Sequence, residues 1–252
     1  MNTEPTLHIN GATATITLCR PELANRLSEA DVAALRQYIA TVNASREVTV
    51  LRLQSTGKYF CSGYDLLTLG EGDGNSADTF GDLADALEMA RPISIAAIQG
   101  GVYGGATDLC LACDFRVGSS DCKLQMPALK LGVHLYQSGL ERYVNRLGLN
   151  AAKRLLLTAE KIDSKTMLAL GFLTELVPAE LLHERVEALG LTLRAMAPQA
   201  LLSVKKHLNR IARSDLDPAS LAFDIQQARN SDDGREGLSA WREKRTPVYK
   251  GS

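Results

Sequence analysis

Residues 99–109 read Gln99-Gly100-Gly101-Val102-Tyr103-Gly104-Gly105-Ala106-Thr107-Asp108-Leu109, and this stretch decides the fold. Four glycines fall within six residues, directly after the apolar run Ile93–Ile98 and directly before a segment able to form a helix. Glycine serves where a backbone turns tightly or approaches a ligand. A strand that turns through glycines into a helix presents the unpaired N–H groups of the helix start to whatever lies in front of them. Such donors hold a phosphate, or an oxygen that turns negative during a reaction. Asp108 follows Gly105 by three residues, so on a helix the two share a face.

Outward from this turn the chain alternates strands and helices. Thr13–Leu18 reads as a strand of β-branched and small residues. Ser28 is placed to cap a helix running to about Asn43, with Val32, Leu35 and Ile39 on one face. Residues 48–53 read as a strand, 60–65 as a turn, and the Gly-, Asp- and Asn-rich residues 70–77 as a loop suited to a lid or entrance. A helix over 80–90, the strand Ile93–Ile98, the glycine turn, a helix over Gly105–Ala112 and a strand over 114–117 complete an α/β order. Helical segments over 151–157, 164–170, 179–196 and 199–211 make the last third mostly helix. Two regions are expected: a core over 1–195 and a helical region over 196–252.

With 252 residues and 45 % apolar content, the chain can bury a core without disulfides or metal. A net charge of −1 gives no reason to expect nucleic acid, and no polybasic stretch or membrane-length apolar run is present. Residues 1–10 lack the pattern of a secretory signal, and five cysteines are an odd set with no framework spacing. Reduced thiols in a cytoplasmic protein are the expectation. The Cys110/Cys113 pair lies toward the far end of the predicted helix rather than at its start, so the two read as packing groups, not a redox pair.

Several further motifs keep company with the glycine turn. Arg20-Pro21-Glu22-Leu23-Ala24-Asn25, Phe60-Cys61-Ser62-Gly63-Tyr64-Asp65-Leu66, Cys113-Asp114-Phe115-Arg116, the run from Gly171 to Pro178, and Glu236-Gly237 with Glu243-Lys244-Arg245 follow in fixed order. Together they resemble the crotonase, or enoyl-CoA hydratase/isomerase, superfamily over almost the whole chain. The resemblance implies a spiral core of repeated ββα turns and a helical C-terminal trimerisation region, with homotrimers or homohexamers. It implies an acyl-CoA or acyl-carrier-protein thioester as substrate and no cofactor. It also implies an enolate-like anion held by the backbone N–H groups of Tyr64 and Gly105. Leu23, Ala24, Ser62, Gly63, Asp65, Leu66 and Gly104 match the family's substrate- and CoA-binding positions.

Two departures bear on the chemistry. Family hydratases use two glutamates; here Asp108 stands for the first, one methylene shorter, and Ala128 for the second. The loop over 132–139 brings His134 and Tyr136 where the family has small residues, and either is a candidate replacement for the lost group. Asp108, His134 and Tyr136 are therefore the candidate catalytic residues. Hydration, double-bond isomerisation and decarboxylation stay open, as does a binding protein without turnover. A hydrolase would need Ser62 and His134 to act with an aspartate. Asp65, Asp114 and Arg116 read as turn-holding residues, and His207, beside Lys205 and Lys206, as part of a solvated face. Lys244, Arg245 and Lys250 are candidates to meet CoA phosphates across a subunit interface.

Overall fold

A computed structural model describes residues 4–65 and 76–251. Its strands divide between two sheets. The larger has the order β1 (Thr6–Asn10), β2 (Thr13–Leu18), β3 (Val50–Ser55), β5 (Ile93–Ile98), β7 (Phe115–Ser119) and β10 (Glu175–Val177). Only the β1–β2 pair is antiparallel. The smaller has the order β4 (Tyr59–Cys61), β6 (Gly101–Tyr103), β8 (Lys123–Gln125) and β9 (Ile162–Asp163), with β4, β6 and β8 parallel.

The chain visits the sheets in turn and then forms a helix. It runs β3, β4, α2 (Ser76–Glu88); then β5, β6, α3 (Gly105–Ala112); then β7, β8, α4 (Gln137–Thr158). This is the ββα spiral. β5 is buried at all six positions because both faces of the larger sheet are covered. One face packs on α1 (Glu29–Ala44) to α4, with Val32, Leu35, Leu83, Leu109 and Tyr143 in the core. The other packs on α6 (Leu182–Arg194) through Leu182, Val186 and Leu193. The short α5 (Ser164–Ala169), which comes between α4 and α6 in the chain, packs near β8, β9 and β10.

Ser28 caps α1 as the sequence suggests: its Oγ accepts from the Asp31 N–H, and the Asp31 carboxylate accepts from the Ser28 N–H at 2.8 Å. Arg20 closes its fork on the same carboxylate at 2.7 and 3.1 Å. The glycine turn is more structured than its composition suggests. Gly101–Tyr103 is itself a strand, and residues 60–65 begin in one, because β3 and β5 of the larger sheet each end in a corner leading to a strand of the smaller. The expected strand over 48–53 sits two residues later, where Ile93 N–H bonds the Thr49 carbonyl and fixes the register. Of the expected loop over 70–77, residues 76 and 77 belong to α2, and 70–75 lie outside the described residues.

Beyond residue 195 come α7 (Pro198–Ala212), α8 (Pro218–Asn230) and α9 (Asp232–Glu243). The first is docked on the core. Lys205 is buried, donates to the Pro92 carbonyl at 2.6 Å and pairs with Asp114 at 2.6 Å. The solvated face expected at His207 is wrong. Its ring is 3 % exposed and Nε2 lies 2.9 Å from Asp224, because α8 folds back over α7 and covers that face. Among the described residues no helix is long and apolar enough to cross a membrane.

Candidate active site

Two turns of the spiral end at one place. Leu27 forms a parallel bridge with Tyr64, in which the Leu27 N–H bonds the Gly63 carbonyl at 2.9 Å and the Leu27 carbonyl accepts from Asp65 N–H at 2.8 Å. Those bonds engage the residues either side of Tyr64, so the Tyr64 N–H faces away from this partner. Gly105 is the first residue of α3, where a backbone N–H has no partner within the helix. Gly63, at φ 93°, lies so close to it that a Cβ there would stand 3.0 Å from the Gly105 nitrogen and 2.9 Å from the Tyr103 carbonyl oxygen. Gly104, at φ 56° and ψ −137°, adopts a backbone that only glycine holds without strain. The two candidate donors thus border one space.

That space is a cavity of about 150 Å³ with mostly apolar walls. Ser62, Tyr64, Gly104 and Gly105 line one part of it; Phe80, Met126, Ala128, Leu135, His134 and Tyr136 line the rest. Ala128, at the start of a 3₁₀ turn over Ala128–Leu131, offers the cavity a methyl group. His134 is exposed, and its Nδ1 donates to the Leu135 carbonyl at 2.6 Å, since a carbonyl can only accept. In the neutral ring Nε2 is then the lone-pair nitrogen.

Asp108 does not line the cavity, although it shares its helix with Gly105. It is 1 % exposed. Arg142 of α4 grips both its oxygens, Nε to Oδ1 and Nη2 to Oδ2, each at 2.9 Å. The Tyr136 hydroxyl donates to Oδ2 at 2.5 Å. Arg142 also reaches Asp85 at 2.9 Å and Glu88 at 2.8 Å through Nη1. Burial opposes the guanidinium charge, but the hydrogen bonds and charges of Asp108, Glu88 and Asp85 outweigh it and hold Arg142 above its ordinary value. Burial, and after it the Asp108 charge, push the Tyr136 phenol well above its ordinary range. Tyr136 therefore stays a hydroxyl, and it is the polar atom between Asp108 and the cavity.

The remaining expected residues are spread around this centre. Leu23 is exposed and Ala24 half-buried in one turn, and the Ala24 carbonyl accepts from Ser62 N–H at 3.0 Å. Asp65 pairs with Arg26 at 3.1 Å. None of these three lines the cavity. Leu66 lies outside the described residues. Ser62 and His134 both line the cavity, but among the described residues no hydrogen bond joins them. Asp114 accepts from the Ser94 N–H at 2.7 Å, and Arg116 donates to the Cys113 carbonyl at 2.6 Å, both holding turns. Arg245 is engaged by Glu236 and Glu243, so its fork is already filled.

Sequence reasoning passed over Phe80, Arg142, Glu88 and two helical glycines, Gly81 and Gly139. A Cβ on either glycine would meet the Tyr136 ring at 2.9 Å. Gly81 was legible as a glycine within a helix and Gly139 as the end of the loop over 132–139, but their common neighbour was not.

Comparison with known proteins places the whole chain. A family model described as enoyl-CoA hydratase/isomerase matches residues 8–252. The short-chain-enoyl-CoA hydratase of Clostridium acetobutylicum is 28 % identical over 248 residues, covering 95 % of this chain and 94 % of that one. The 2,3-dehydroadipyl-CoA hydratase of Escherichia coli is 27 % identical over 241 residues, covering 94 % of each. The crystal structure of an enoyl-CoA hydratase from Bacillus anthracis superposes with a TM-score of 0.89 at 27 % identity, covering 99 % of this chain and 100 % of that one. A spiral with paired glycine corners, matched over nearly its full length by the family's model, makes this chain a member of the enoyl-CoA hydratase/isomerase family.

Proposed function

We propose that this chain is an acyl-CoA-processing enzyme that holds a thioester oxygen between the backbone N–H groups of Tyr64 and Gly105 while an enolate forms. The observation that carries this reading is the meeting of those two residues at one apolar cavity, with Gly63 and Gly105 too close to admit a side chain between them. Donors fixed where charge develops need no reorganisation during the reaction, and a low-dielectric surrounding strengthens them. The names of the relatives and the family support a CoA thioester as the carrier of the acyl group.

Proton movement falls to His134 and Tyr136. Nε2 of His134 is the base, and the Tyr136–Asp108–Arg142 chain supplies a fixed hydroxyl. The site is atypical for hydration by two carboxylates. Ala128 brings none, and both oxygens of Asp108 are engaged. Isomerisation, with one base moving one proton, suits these groups better. Decarboxylation is the second reading, favoured because no carboxylate is among the described cavity-lining residues to repel an anionic acyl group. The bond to the departing CO₂ would leave its electron pair in the enolate, and a proton would then be delivered to carbon.

A homotrimer or homohexamer is proposed for the assembly. Its support is the exposed apolar set on α7 to α9, including Val204, Leu208, Phe223, Ile225 and Trp241. Such a set needs a cover. Sedimentation should then give three or six times the 27.2 kDa chain mass. Five free cysteines fit a reducing, cytoplasmic setting.

A mass-spectrometric screen of enoyl-, malonyl- and 3-enoyl-CoA substrates tests the reaction. Isomer products support isomerisation and loss of CO₂ supports decarboxylation, whereas a prominent water adduct overturns the preference against hydration. Thermal stabilisation by thioesters without any product would leave a binding protein.

A further inference from the structure

One wall of the cavity, the ring of Tyr136, is built rather than incidental. The Cδ2–Cε2 edge of the Tyr136 ring lies against Gly81 of α2 and Gly139 of α4, where any larger residue would place a Cβ 2.9 Å from ring carbons. Two helices have thus given up a side chain at the positions that receive one ring. The hydroxyl is tied at 2.5 Å to Asp108, itself gripped by Arg142 on both oxygens. Swinging the ring aside would strip a buried carboxylate of a charge-assisted hydrogen bond and open a void between α2 and α4. Phe80, 3 % exposed, adds a second ring to the cavity lining.

A cavity of about 150 Å³ is small beside the ~300–1,000 Å³ usual for ligand pockets. The names of the two relatives above specify different acyl groups, a short-chain enoyl and a dehydroadipyl, so the family leaves acyl length to this chain's own cavity walls. Resting on the thioester reading, we propose that Tyr136 is a specificity-determining end wall that restricts this enzyme to short acyl groups. Ala128 and Leu135 leave room for a few carbons beside the Tyr64–Gly105 donors; a longer chain meets a ring that cannot yield.

Isothermal titration of the full-length protein with butyryl-CoA and octanoyl-CoA tests this. An apolar tunnel that continued past Tyr136 would tighten binding about fourfold with each added methylene. For the wild type the expected result is the reverse, octanoyl-CoA binding at least tenfold more weakly than butyryl-CoA. Y136A should bring the ratio to one or invert it, and Y136V serves if Y136A does not fold. Octanoyl-CoA binding the wild type as tightly as butyryl-CoA overturns the proposal, as does a ratio unchanged in the folded variant. Failure of the wild type to bind either thioester overturns the thioester reading itself, and is told apart because no ratio then exists.

Discussion

Arg142 closes on Asp108 with two parallel hydrogen bonds of 2.9 Å, and the two side chains are 1 % and 2 % exposed. The pair is the centre of a buried network, because the same guanidinium also holds Glu88 and Asp85, and Arg213 from the end of α7 reaches both of those. A carboxylate so engaged supports the hydroxyl in front of it more readily than it takes a proton from substrate.

The network is expected to be asymmetric to mutation. Arg142→Leu strands the buried Asp108, while Glu88 keeps Arg213, and should cost about 3–5 kcal/mol. Asp108→Asn leaves Arg142 two carboxylates and should cost clearly less. Urea unfolding of the two variants checks the order; equal losses would show that Asp108 without Arg142 is no costlier than Arg142 without Asp108.

Gly63→Ala tests the paired donors directly. The added methyl would stand 3.0 Å from the Gly105 nitrogen, in the space that the thioester oxygen would use. Loss of one such donor elsewhere costs about 10²–10³ in kcat. A fall of at least ~100-fold in kcat is expected, measured on whichever substrate the screen identifies. Retention of wild-type turnover in a folded variant would remove this turn from the chemistry.

The thiols should be quiet. Burial pushes Cys61, Cys113 and Cys122 up to about 12 and Cys110 well above its ordinary value. Each stays neutral at any pH below that, and a neutral thiol is a poor nucleophile. Iodoacetamide at pH 8 should therefore modify only the half-buried Cys19 in the native protein, and all five cysteines after denaturation. Peptide mass mapping reads the difference.

The C-terminal tail should loosen in acid. The Arg245 fork, and after it the Val248 N–H at 2.9 Å, hold Glu236 down at about 2, against an ordinary 4.5. A carboxylate lowered by folding stabilises the tail fully above 4.5 and loses that contribution as pH falls through about 2. Hydrogen exchange at the Val248 amide, corrected for intrinsic rates, should show protection that is constant from pH 7 to 4.5 and declines below. In Glu236→Gln the protection should be lower and flat.

Much of this could be read along the chain. The Ser28 cap, the β5 strand over Ile93–Ile98 and the α3 helix over Gly105–Ala112 are written in local patterns, because caps, β-branched runs and glycine punctuation act between near neighbours. The short strands β6, β8, β9 and β10 escaped, since two or three residues carry no period and are defined only by their partners. His207 escaped for the same reason: on its own helix it sits beside lysines, and only α8 folding back buries it.

For the site, the division is sharper. The sequence by itself determined the two glycine corners, because backbone turns and N–H donors depend on residues adjacent in the chain, and the motifs around them determined the family, whose resemblance implied the ββα spiral. Only the tertiary structure decided what Asp108 faces. Its partners, Arg142 and Tyr136, come from 34 and 28 positions away, and whether a carboxylate faces a cavity or an arginine is settled by packing across helices. The same packing turned Gly81 and Gly139, unremarked as letters, into the seat of the ring that lines the cavity.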